Sequence, residues 1–192
     1  MKNILIINGH PNPASYCMAL GESYKNGALV AGASVEQVTL SKMQFDPILR
    51  YGYSKRMDLE PDLMDAWEKI KKADHLVIIF PMWWGNMPAL LKGFFDRLFL
   101  PGMAFSYREN SVWWDKLLKG RSGRLIITMD QPPFYHYLVN LAPVIRSLKK
   151  MVLEFCGVSP VSTTSIGPIR NSTEAYRKKY LEKVFELGKQ MK

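Results

Sequence analysis

Hydrophobic positions recur with two different periods along this chain. Residues 4–7 are four consecutive large aliphatics, and residues 74–80 and 124–128 carry similar runs. A run without alternation reads as a strand buried on both faces, as in the middle of a parallel sheet. Residues 34–40 alternate instead, which reads as a strand at or near a sheet edge, and a short strand falls within 161–166. Between these runs the spacing becomes helical. Leu20, Tyr24 and Leu29 lie close to one face of a helix that Ser15 would cap with its hydroxyl and Gly32 would stop. Leu63, Trp67 and Ile70 follow a first-turn proline, Pro61. Residues 89–97 read as a helix. Apolar periodicity returns over 141–155 with Gly157 as its stop, and Tyr176, Tyr180, Val184 and Leu187 share one side of a last helix.

Strands alternating with helices predict an α/β fold, with a doubly wound five-stranded parallel sheet and helices on both faces. Residues 1–192 form one domain on this reading, with loop excursions near 43–59 and 100–118. The first excursion reads as a flap or a dimer contact. In such sheets ligands bind beyond the strand carboxyl ends, where the strand order reverses. For the order 2-1-3-4-5 the reversal lies between the first and third strands. Their following loops, Gly9 to Tyr16 and Pro81 to Pro88, would then meet.

Each loop suggests a chemistry. The first joins a buried strand to a helix N-terminus, so its N–H groups and the helix dipole could receive an anion such as phosphate; a βα turn that binds nothing fits the loop alone equally well. The second offers Trp83 and Trp84 as apolar planes beside backbone polar groups, with core or interface aromatics as the plain alternative. Thr128, Met129, Asp130 and Gln131 add a third wall at the neighbouring strand end. A phosphate corner beside a flat apolar slot suits a flavin mononucleotide moiety. The chain has no GxGxxG and no GxxxxGK[ST], which disfavours the usual dinucleotide fold and P-loop NTPases.

Composition narrows the picture further. The net charge of +9 raises the question of nucleic acid, but the Lys and Arg residues are scattered and no basic stripe is interleaved with aromatics. A solvated basic surface is expected, with no nucleic-acid partner. No apolar run approaches a membrane span and no signal pattern opens the chain, so a cytoplasmic location is expected. Cys17 and Cys156 lack metal-ligand spacing and suit a reducing compartment; no metal site is expected.

Several motifs combine across the whole chain: Gly9-His10-Pro11 with Ser15-Tyr16, Phe45-Asp46-Pro47, Asp74 through Trp84, Pro88 through Phe99, and Phe155-Cys156-Gly157. In these the sequence resembles the flavodoxin-like NAD(P)H:quinone oxidoreductase family. The resemblance implies a homodimer with tightly bound FAD or FMN near the subunit interface. It implies NAD(P)H as electron donor and two-electron, ping-pong hydride transfer to quinones or similar aromatic acceptors, nitro and azo compounds included. Carried over by position, His10, Ser15, Tyr16 and Cys17 would line the phosphate side of the cofactor. Pro81, Met82, Trp83, Trp84 and Gly85 would hold the ring, and Thr128, Met129, Asp130 and Gln131 would close it.

The chain departs from the mammalian pattern after its third buried strand. Their Gly-rich loop is replaced by Thr128 to Pro133, and Tyr135, His136 and Tyr137 come early and adjacent. Tyr135 and His136 are candidates for the family's Tyr/His pair, which is proposed to stabilise charge on the reduced flavin; a surface histidine with aromatic neighbours is the other reading. Two further functions stay open at this point, an ancillary flavoprotein subunit of a potassium efflux system and a flavodoxin-type electron carrier.

Overall fold

The structure, a computed structural model, describes residues 1–191. Its main sheet has five parallel strands in the order β2-β1-β3-β6-β7: β1 Asn3–Asn8, β2 Ser34–Thr39, β3 His75–Pro81, β6 Ser122–Thr128 and β7 Val161–Ile166. The remaining strands, β4 Phe105–Tyr107 and β5 Trp114–Lys116, pair antiparallel as a hairpin inside the 100–118 excursion. Helices α1 Tyr16–Val30, α2 Pro61–Lys72 and α3 Ala89–Leu98 carry the first three crossovers, and α7 Glu174–Lys189 follows the last strand. Between β6 and β7 lie short α4 Pro133–Leu138, then α5 Pro143–Ile145, a π-wound stretch Arg146–Leu153 and α6 Glu154–Cys156.

The unalternating runs are buried on both faces, and successive side chains serve opposite cores. Leu5, Ile7, Leu76, Ile78, Leu125 and Ile127 face α2, α3 and the 143–156 segment, while Ile4, Ile6, Val77, Ile79 and Ile126 face α1 and α7. Each such side chain contributes about 1.5–3 kcal/mol by leaving water. Helices α1 and α7 meet backbone to backbone: a methyl at Gly27 would drive into the Phe185 carbonyl, and one at Gly188 into that of Tyr24. Leu20 and Tyr24 are buried at that contact, whereas Leu29, expected on the same face, is exposed.

The 43–59 excursion has almost no regular structure, yet it is clamped. Gly93 of α3 has no side chain, so Pro47 lies against the helix where a Cβ would collide with it. One turn on, Arg97 is buried and bonds the Glu60 carboxylate at 2.8 Å, the Asp58 carbonyl at 2.8 Å and the Asp46 carbonyl. The hairpin is held at its other end, where Trp114 stacks on Phe155 and donates its indole N–H to the Phe155 carbonyl at 2.9 Å.

His75 opens β3 almost fully buried, with Nδ1 2.7 Å from the Ser122 hydroxyl and Nε2 without a partner. Burial, reinforced by the positive charges of Lys2 and Arg124, lowers its pKa to about 4. Above pH 6.5 the ring is neutral in both folded and unfolded chains. Between pH 6.5 and about 4 only the unfolded chain takes up the proton, so stability falls with falling pH, by about 3 kcal/mol across the window. Denaturant unfolding should therefore show the stability gap between wild type and His75→Asn narrowing by about that amount from pH 7 to pH 4. A gap that stays constant would show that His75 is not the source.

Candidate functional site

The site forms where the carboxyl ends of β1, β3 and β6 come together. Backbone bonds just past the strands hold their exits level: Gly9 N–H to the Ile79 carbonyl at 2.8 Å, Met82 N–H to that of Thr128 at 2.7 Å, and Met129 N–H to that of Ile166 at 2.9 Å. Between the three exits lies a cleft of about 280 Å3. It brings together His10, Ser15, Tyr16, Cys17, Pro81, Met82, Trp83, Thr128, Met129 and Asp130. Asn12 and Ile169 also line it. Asn12 sat inside the first loop without an assigned role. Ile169 lies in the segment after β7 and carries no sequence signal; it arrives because β7 neighbours β6 and because its N–H bonds the Met129 carbonyl at 3.0 Å.

The anion corner differs from the expectation in which groups it offers. The loop's own amides are spent internally. Gly9 donates to β3, His10 to the Asn8 side chain, Asn12 to His10 Nδ1 at 2.9 Å, Ala14 to Asn12 Oδ1 at 2.8 Å and Ser15 to the Asn12 carbonyl. Pro11 and Pro13 have no N–H to give. Ser15 stands at the N-cap of α1 but makes no side-chain cap bond, because Met18 N–H already bonds the Ser15 carbonyl at 3.0 Å. Its hydroxyl is consequently buried without a partner. Among the described residues, the donors left over are Ser15 Oγ, the Tyr16 and Cys17 amides in the first turn of α1, and His10. A buried hydroxyl with no partner costs free energy unless a ligand or water satisfies it, and a helix N-terminus favours that ligand being anionic.

Titration states sharpen these roles. Burial holds the His10 pKa below its ordinary value, and Nδ1 accepts from Asn12, so the neutral ring carries its proton on Nε2. Burial pushes the Cys17 thiol up to about 11, with its hydrogen bond to Thr128 opposing, so Cys17 is a protonated thiol at neutral pH and no nucleophile. The Tyr16 hydroxyl, raised to about 12 by burial, donates to the Arg177 carbonyl at 2.7 Å and ties the start of α1 to α7.

On the opposite wall, Trp83 and Asn86 exchange two backbone bonds of 2.9 Å around a tight turn. Its central residues, Trp84 and Gly85, both have positive φ, 51° and 73°, the pattern of a type I′ turn. Trp83 lies on the cleft, edge-on to His10 at 5.7 Å between ring centroids, while Trp84 stands at the turn tip, wholly exposed and outside the cleft lining. Gly85 and Gln131 are likewise outside the lining; Gly85 faces Pro143, and Gln131 lies 3.3 Å from His136 Nδ1. His136 is fully enclosed, its Nε2 without a partner and its pKa lowered by burial. The imidazole does not line the cleft, and neither does the half-exposed Tyr135.

A model of the flavodoxin-like fold matches residues 2–187. The chain belongs to this family. It is similar to Smu.1420 of Streptococcus mutans, 33% identical with a TM-score of 0.85 over 98% of this chain and 99% of that one. It is also similar to the NAD(P)H:quinone oxidoreductase of Methanothermobacter marburgensis, 25% identical with a TM-score of 0.84, covering 99% and 96% of the two chains. Among curated relatives, NAD(P)H dehydrogenase [quinone] 1 of Cavia porcellus is 27% identical over 97% of this chain and 78% of its own.

A bulky side chain in the left-handed region is strained by about 1–2 kcal/mol, whereas Asn tolerates it. Trp84→Asn should therefore raise unfolding stability by about 1 kcal/mol in the isolated subunit. Chemical denaturation measures it, and a loss of stability would mean that the indole is packed in a way its exposure denies.

Proposed function

We propose that this protein is a flavin-dependent NAD(P)H oxidoreductase that reduces quinones or similar aromatic acceptors by two electrons. The observation that carries the reading is the unpartnered, buried Ser15 hydroxyl at the start of a 15-residue helix, at one end of a cleft whose other walls are Met82, Trp83 and the 128–130 segment. Curated and structural relatives with quinone-reductase names point the same way.

On this reading Ser15 Oγ, the Tyr16 and Cys17 amides and the Nε2–H of His10 hold the phosphate of FMN or FAD. Backbone donors are also unspent in the second and third loops, among them that of Asp130, which lines the cleft. Trp83 N–H and Met82 N–H are spent on Asn86 and Thr128, which leaves the amides of Trp84, Gly85, Asp130 and Gln131 as the unspent donors of the two loops among the described residues. A bound flavin would supply the hydride-transfer chemistry between NAD(P)H and the acceptor. The protein's part is to fix the ring, exclude water and place both partners in turn against one face.

The second wall around that face comes from another copy of the chain in this reading. A groove of about 240 Å3 between α3, the hairpin and the 143–156 segment is lined by Phe95, Phe99, Phe105 and Phe155, with Met151 exposed at its rim. Among the described residues no helix is long and apolar enough to cross a membrane. A homodimer working in the cytoplasm fits these features.

Purified protein should be yellow, release FMN or FAD on denaturation, and oxidise NAD(P)H when menadione is added. Ser15→Glu should lose the flavin while keeping the far-ultraviolet circular dichroism of the parent. Colourless protein that takes up neither flavin would refute the function; a Ser15→Glu variant that keeps its flavin would refute the placement of the phosphate.

A further inference from the structure

Asn8 ends β1 directly after four aliphatic residues, and it is buried although the sheet has no need of its side chain. The carboxamide bonds in two directions. Nδ2 donates to the Cys17 carbonyl in the first turn of α1 at 2.9 Å, and Oδ1 accepts from the His10 N–H at 3.2 Å. Helix α1 lies close over it, since a methyl at Gly21 would stand 3.5 Å from Nδ2. Asn8 does not line the cleft, so any effect on a ligand passes through the groups it holds.

Those groups are the anion corner. Asn8 begins a relay in which every second side chain accepts the N–H two residues on: Asn8 from His10, His10 from Asn12, Asn12 from Ala14. The later links join loop to loop. The first joins the loop to the sheet, because Asn8 is itself in register with Thr39 and Ile79. Its other arm fixes the helix turn that presents the Tyr16 and Cys17 amides.

We propose that Asn8 is the positioning residue of the phosphate end of the cleft. It sets the helix N-terminus and the His10 ring at one distance from each other. The inference rests on the flavoprotein reading above. It goes further by assigning phosphate affinity to a residue that touches no ligand. The strand pairing of β1 is made by backbone groups, so the sheet survives loss of the carboxamide; what slackens is the loop and the first turn of α1.

The test compares apoprotein affinity for FMN with that for riboflavin, which lacks the phosphate, by fluorescence titration. In Asn8→Leu, similar in size but unable to bond, the Kd for FMN should rise about tenfold or more, while that for riboflavin stays within about threefold of wild type. If the Leu variant fails to fold, Asn8→Ser gives the same ratio. An unchanged FMN affinity, or equal losses for FMN and riboflavin, would overturn the role of Asn8, since a residue needed only for folding weakens both alike. Wild-type apoprotein that binds neither compound would instead overturn the flavoprotein reading, and this inference with it.

Discussion

The alignment of three strand ends is the constraint on which the site depends. Gly9 bonds the carbonyl of Ile79, Met82 bonds that of Thr128, and Met129 that of Ile166, so the loops after β1, β3 and β6 leave the sheet from one rim. A parallel sheet makes this possible because its carboxyl ends share an edge, and the strand order β2-β1-β3 opens a crevice where successive crossovers go to opposite sides. Gly9 also sits where a Cβ would strike the Leu91 side chain, so α3 can lie close to the first loop. A slip of one residue at β3 would turn its side chains over and separate Trp83 from His10.

Given that rim, the chemistry of the first loop follows from how its hydrogen bonds are spent. A loop that offered all its amides to a ligand would have to hold its shape with none of them. This one uses two prolines, two asparagines and the Nδ1 of a histidine to satisfy itself, and leaves unspent the amides of the helix turn, one hydroxyl and the Nε2–H of that histidine. The shape of the corner is thus held by the loop's own hydrogen bonds, independently of the donors that stay unspent.

Much of this was legible in the sequence. The runs at 4–7, 74–80 and 124–128 announced central parallel strands because burial on both faces leaves no room for alternation. The meeting of the Gly9–Tyr16 and Pro81–Pro88 loops followed from the order those strands suggest. What could not be read is geometry decided by competition between neighbours. Ser15 has the identity of an N-cap, yet its carbonyl takes the amide that its hydroxyl would have bonded. Trp84 and Trp83 are the same residue type in adjacent positions, and only the positive φ of the turn sends one out and leaves the other on the cleft. Residues 141–155 show helical spacing, but Leu141 and Ala142 are left-handed, so the helix starts at Pro143 and widens to π winding over Arg146–Leu153.

The 43–59 excursion makes the same point about long loops. Its length and irregularity suggested a flap, and its polar sequence gives no hint of an anchor. The anchor lies outside it, on α3. A buried guanidinium is costly unless its charge is met by acceptors, and Arg97 bonds two loop carbonyls and the Glu60 carboxylate, one residue past the loop, through its two Nη atoms, while Nε has no partner. Because the loop supplies the ligands that make the buried charge tolerable, neither is stable without the other. Opening the loop at this point would strip Arg97 of its partners. Any movement of the segment is therefore expected between Leu49 and Met57, beyond the clamp, where Tyr51 and Tyr53 are exposed and the backbone bonds are local turns.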